Sequence, residues 1–280
     1  MRHHALRACA ASIGLLGILT IAAHGQQSVA HIGSVTGHAA AGAHEYRRYC
    51  VGCHGQAGDG AGENAMWVDP KPRDFTAAVF KCRSTATGTL PTDDDLYHSV
   101  SRGFVTTNMP SWEPLTRQAR ADLVAYIKTF SSRWSEGAGA VIAIPPETPV
   151  TMESILRGRD VFQRVECWKC HGPAGHGDGP SASTLTDSKD NPIRPYNFSS
   201  GSRFKCGESN QDIYRIFMTG LDGTPMPSFA DILQPNEAWD LVHFLRTLQP
   251  ISTPEATMWQ AWLPSHASEL KPLGQDEGGR

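Results

Sequence analysis

With 280 residues, 40% of them hydrophobic and 19% charged, the chain has room for about two domains and the composition of an ordinary folded protein, which excludes wholesale disorder. Its formal charge is only −3 and no block of Lys or Arg occurs, so a nucleic-acid partner has no electrostatic footprint to rest on.

Residues 1–30 read as a secretory signal. Arg2 and Arg7 make a basic start, 11–23 an apolar middle, and Ala23-His24-Gly25 or Ser28-Val29-Ala30 a small-residue cleavage site. The thirteen-residue middle falls short of the ~20 residues that a spanning helix needs, so no membrane span is expected once the signal is removed. Cys9 precedes the apolar stretch, which disfavours a lipid anchor. Loss of residues 1–25 deletes two arginines and no acid, moving the charge from −3 to −5. Export to the periplasm would place the six remaining cysteines in an oxidising compartment.

Downstream, 42–130 and 158–248 repeat one another. Cys50 and Cys167, Cys53 and Cys170, His54 and His171, Asp95 and Asp212, Gly103 and Gly220, and Met109 and Met226 all stand 117 residues apart. Phe80-Lys81-Cys82 and Phe204-Lys205-Cys206 differ by 124, a drift cancelled before the methionines, as when loops vary around a fixed site. The expected organisation is domain 31–134, a Gly/Ala/Pro-rich linker 135–150 with a stiff second half, domain 151–249 and a tail 250–280 that carries no motif.

In chain order, helical spacing predicts helices leading into the cysteine pairs over 42–53 and 152–170, short helices over 92–103 and 209–220 with acids at their starts and glycines at their ends, and strongly periodic helices over 116–130 and 235–248. The Gly/Pro-rich stretches 55–72 and 172–195 read as loops, long enough to need a packed prosthetic group for order. No alternating strand is expected.

Cys50-Val51-Gly52-Cys53-His54 and Cys167-Trp168-Lys169-Cys170-His171 are both C-x-x-C-H, the attachment signature of c-type haem. Three residues apart on a helical turn, two sulfurs reach one porphyrin edge, and the next residue aims an imidazole at the iron. A redox dithiol would want a strand before the motif, and zinc would want both cysteine pairs in one small unit. Met109 and Met226 lie 55 residues after their histidines, each in a Met-Pro-Ser-aromatic segment between a helix-ending glycine and the last helix, and so are the candidate second axial ligands. Met66, Met152 and Met218 lack that relation and are assigned to packing.

The order C-x-x-C-H, loop, Met-Pro, terminal helix resembles the class I c-type cytochromes, and the tandem arrangement is similar to their dihaem members, over about two-thirds of the chain. The resemblance implies an all-α fold of two tandem cytochrome c-like haem-binding domains whose first and last helices cross at Gly42, Tyr46 and Tyr126, and at Gly158, Phe162 and Phe244. One extra residue stands between Phe162 and Cys167.

Cys82 and Cys206 read as buried free thiols, an inter-lobe disulfide, or a redox or metal pair; only Cα separation decides. Arg73 and Arg194 fall in matching loops, where each could pair with a haem propionate or face solvent. His98, His176 and His243 have no counterparts and are read as surface or helix-face residues.

With His54 and Met109 on one iron and His171 and Met226 on the other, no coordination position is open. The expected function is transfer of one electron per covalently bound haem c between protein donor and acceptor, not catalysis. Two further readings are a haem subunit of a larger dehydrogenase or oxidase complex, and a dihaem peroxidase. The last would require one five-coordinate iron and unequal halves, which the matched repeats disfavour.

Overall fold

The computed structural model describes residues 28–250 and 253–275, so all but the last three residues of the secretory-signal reading lie outside it. The first repeat opens on an antiparallel hairpin of β1 (Val29–Ile32) and β2 (Val35–His38), with Val29 opposite His38 and Ile32 opposite Val35. This corrects the expectation of no strand. Each strand is four residues long, too short for its alternation to stand out, yet Ala30 and Ile32 are buried against Ala121 and Val124. Of the two candidate cleavage sites, Ser28-Val29-Ala30 runs into β1, whereas Ala23-His24-Gly25 leaves the hairpin whole.

Helices α1 (Ala39–Tyr49) and α2 (Val51–His54), then α3 (Asp93–Arg102) and α4 (Arg117–Ile127) complete the first repeat, with a 3-10 turn carrying α4 on to Phe130. The second repeats the set as α5 (Met152–Arg164), α6 (Trp168–His171), α7 (Asn210–Thr219) and α8 (Pro235–Thr247). Capping boxes start the equivalent short helices: Thr92 with Asp95 on α3, and Ser209 with Asp212 on α7.

Within each repeat the first helix crosses the last at a glycine. A Cβ on Gly42 would stand 1.9 Å from the Asp122 carbonyl oxygen, and one on Gly158 1.8 Å from that of Asp240, so only glycine permits the approach. Beside these points Tyr46 meets Tyr126 at 5.1 Å between ring centroids, and Phe162 meets Phe244 at 5.4 Å. The extra residue after Phe162 leaves this crossing intact. Glu166 absorbs it by adopting a left-handed φ of 59° between α5 and α6.

The repeats are joined at a seam. Cys82 and Cys206 form a disulfide with Cα atoms 5.1 Å apart, which replaces the free-thiol reading. Next to it the Arg83 guanidinium, fully buried, pairs with Asp222 at 2.8 Å and donates to the Thr219 carbonyl at 2.5 Å. The segment between the repeats is held on both sides: Ile142 N–H bonds Ser84 C=O at 2.9 Å, while Ile144 and Val150 pack on the second core. His243 is likewise not on the surface. It is completely buried in α8, with Nδ1 2.8 Å from the Ser154 hydroxyl and Nε2 3.4 Å from Glu147 of that connecting segment.

The tail forms α9 (Pro254–His266), whose Trp259 packs edge-on against Phe244, and then turns back over the second repeat. Arg159 donates to the Lys271 carbonyl, Gln163 exchanges hydrogen bonds with Gly274 and Gln275, and Gly274 lies against Pro173 and Trp168. Among the described residues no helix is long and apolar enough to cross a membrane.

Candidate functional site

Each C-x-x-C-H segment is a single helical turn, α2 or α6, ended by a glycine with φ of 78°. The glycine-rich loop that follows is bonded back onto that turn by its own backbone. Gly60 N–H reaches the His54 carbonyl at 2.9 Å and Gly62 N–H that of Cys53 at 3.1 Å; Gly177 and Gly179 repeat this on His171 and Cys170 at 2.8 and 3.1 Å. Main-chain pairing thus fastens each loop to the turn that carries its cysteines and histidine.

Farther along, the loops orient the histidines. Nδ1 of His54 lies 3.0 Å from the Arg73 carbonyl and Nδ1 of His171 2.9 Å from the Tyr196 carbonyl. Phe75 stacks on His54 at 4.5 Å, and Phe198 tilts against His171 at 5.0 Å. Burial lowers both imidazoles from their ordinary value, more than the carbonyl bonds raise them, with the Arg73 charge lowering His54 further. Each ring is held neutral, with Nδ1–H donated to a carbonyl and the Nε2 lone pair free for a metal. These orienting carbonyls escaped sequence reading because backbone acceptors leave no residue signature. They also realign the loops: the counterpart of Arg73 is Tyr196, and Arg194 is exposed two residues earlier.

Cys50, Cys53, Cys167 and Cys170 lie outside any disulfide and are half-buried. Burial pushes the Cys50 and Cys167 thiols up to about 12, aided at Cys50 by the neighbouring Cys53 and Glu45. A redox dithiol needs the opposite shift. Nor do zinc ligands gather: among the described residues no three His, Cys, Asp or Glu side chains form a metal-sized group.

The methionine loops are built alike. The Met109 carbonyl accepts from Phe104 N–H at 2.9 Å and its N–H donates to the Thr107 hydroxyl at 3.1 Å; Met226 makes the same pair with Leu221 and Thr224 at 3.1 and 3.2 Å. Ser111 and Ser228 anchor the following turn by donating to the Ser101 and Met218 carbonyls, each at 2.7 Å. Gly103, with φ of 63°, ends α3 so tightly that a Cβ would lie 2.4 Å from Pro110. In the first repeat Cys50, Cys53, His54 and Met109 line one cavity walled by Phe80, Val100, Leu123 and Ile127. Trp112 is on the same wall, and its indole N–H, buried, has no hydrogen-bond partner among the described residues. Two thiols, a neutral imidazole, a thioether, apolar walls and a spare donor fit a covalently held haem. In the second repeat Cys167 and Met226 pack against one core, as do Met152 and Met218. Met66 does not pack: it is 68% exposed.

Two family models match the two repeats: "Cytochrome C oxidase, cbb3-type, subunit III" over residues 37–127 and "Cytochrome c" over 155–249. A solved chain of the Kuenenia stuttgartiensis reducing HAO-like protein complex is 41% identical, with a TM-score of 0.73, over 75% of this chain and 96% of that one. The chain belongs to the c-type cytochromes. No curated protein matches it. The cytochrome is all-α in class, with two tandem cytochrome c folds, carries two covalently bound haem c groups and works in haem-based electron transfer.

Proposed function

We propose that this cytochrome passes single electrons between protein partners in the periplasm, with His54 and Met109 as axial ligands of one iron and His171 and Met226 of the other. Cys50, Cys53, Cys167 and Cys170 form the thioether links, and the domains run 31–134 and 151–249. The observation that carries this reading is the identical bracing of both methionine loops, together with the shared cavity of His54 and Met109. The haem supplies an iron that changes charge by one unit without making or breaking a bond. What the chain adds is positional. The Arg73 and Tyr196 carbonyls hold the imidazoles, the serine-anchored turns hold the thioethers, and apolar side chains exclude water, so little rearranges when the charge changes.

A reduced-minus-oxidised spectrum with haem quantification tests the proposal. Two haems per chain are expected, neither binding carbon monoxide readily, and each of Met109→Ala and Met226→Ala should open one iron to it. Ready binding by the unaltered protein would favour a peroxidase-type site instead.

A second reading, a subunit of a larger redox complex, is favoured by the complex that contains the similar chain and by two side chains. Met66 and Trp67 are 68% and 78% exposed on the loop after the first C-x-x-C-H, where the second repeat has Ser183 and Thr184. Sedimentation of the native protein separates the two: a lone monomer fits the free carrier.

A further inference from the structure

At the seam, Arg73 and Lys81 of the first repeat and Lys205 of the second all line the same cavity as Cys50, His54 and Met109. Lys81 and Lys205 each precede a half of the disulfide, so the Cys82–Cys206 bond holds both in the cavity wall. All three cations are half-buried; Asp187 attracts Arg73 and Lys81 and Asp74 attracts Arg73, but among the described residues none of the three side chains has a carboxylate within ion-pair distance. Burial lowers Lys81 to about 8, and repulsion from Arg73 and Lys205 adds to this against the attraction of Asp187. Burial and the Arg73 charge lower Lys205 in the same sense. A folded chain rarely gathers three cations in a half-buried place unless an anion joins them. A bound haem c brings two propionate carboxylates, and no other anionic group of comparable charge is required by the cytochrome's function.

We infer that Arg73, Lys81 and Lys205 form one carboxylate seat at the seam and that Lys205, supplied by the second repeat, neutralises a propionate of the haem held by the first. The inference rests on the first cavity being a haem site, not on which residue ligates the iron. Its consequence is that the second repeat tunes the potential of the first haem. A nearby cation disfavours the extra positive charge of the ferric state, so removing it favours oxidation.

The test is a potentiometric titration of the haem-loaded full chain, with a crystal structure of the same protein. Lys205→Gln should lower one of the two haem waves, so that the reduced-to-oxidised ratio of that haem falls at least threefold at a fixed applied potential. Lys205→Arg should restore it. Arg203→Gln, which removes an exposed cation two residues away, should leave both waves in place. In the crystal structure Nζ of Lys205 should pair with a propionate of the porphyrin attached at Cys50 and Cys53. Lys205 contacting only the second porphyrin, or turned to solvent, would overturn the inference. So would waves that shift no more for Lys205→Gln than for Arg203→Gln. Because the same map displays the sixth ligand of each iron, a failure of the Met109 assignment would be seen separately.

Discussion

Cys82 and Cys206, 124 residues apart in sequence, are covalently joined where the Phe-Lys-Cys segments of the two repeats face each other. The bond closes a loop that holds α3 and α4 of the first repeat, the connecting segment, α5 and the second C-x-x-C-H turn. On loop-entropy arithmetic such a closure stabilises the folded chain by up to about 5 kcal/mol. Cys82→Ser with Cys206→Ser should therefore lose about 2–5 kcal/mol in urea unfolding, and dithiothreitol should bring the unaltered protein to the same midpoint.

Arg83 and Asp222 form the polar counterpart of that covalent link. The guanidinium has no solvent exposure, so taking away the carboxylate strands a buried charge. Asp222→Ala should cost about 3 kcal/mol of stability, more than Arg83→Met, because the arginine is the partner that cannot reach water. A double-mutant cycle in urea measures the difference.

Gly42→Ala and Gly158→Ala place a methyl inside a neighbouring carbonyl's van der Waals radius. Each should destabilise its own repeat by about 1–3 kcal/mol, with the helices forced apart. Unfolding followed through the two haems separately should register the loss in one and not the other.

Asp212 gives a dependence on pH. Burial raises its carboxyl, but hydrogen bonds from the Ser209 hydroxyl, the Arg215 side chain and the Ser209 N–H outweigh this and hold it below the ordinary 3.8. A depressed acid contributes stability that is complete above its unfolded value and disappears as pH falls through its folded one. Asp212→Asn should thus cost about 1 kcal/mol at pH 7, and its deficit against the unaltered protein should shrink on acidification below about pH 4. Thermal unfolding at pH 7 and pH 3 compares them.

Much of this architecture was legible in the sequence because the repeat keeps its spacing where chemistry demands it. The interval from His54 to Met109 equals that from His171 to Met226, and α3 and α7 announce themselves by their Thr92 and Ser209 caps. What stayed hidden depends on contacts between distant segments. β1 is too short for a period, and its burial comes from α4, about ninety residues away. Nothing local distinguishes a paired Cys82 from a free one. His243 looks like an exposed helix residue until Ser154 and Glu147 close over it. The equivalence of Arg73 and Tyr196 is carried by their carbonyl oxygens, to which side-chain identity is indifferent.

The fold-back of 271–275 onto Trp168 bears on how the molecule is put together. Trp168 sits between the two sulfur-bearing residues of the second attachment turn, and the segment packed on it comes from roughly a hundred residues farther along the chain. The turn that carries Cys167 and Cys170 is thus buttressed through Trp168 by a segment that lies outside the repeat.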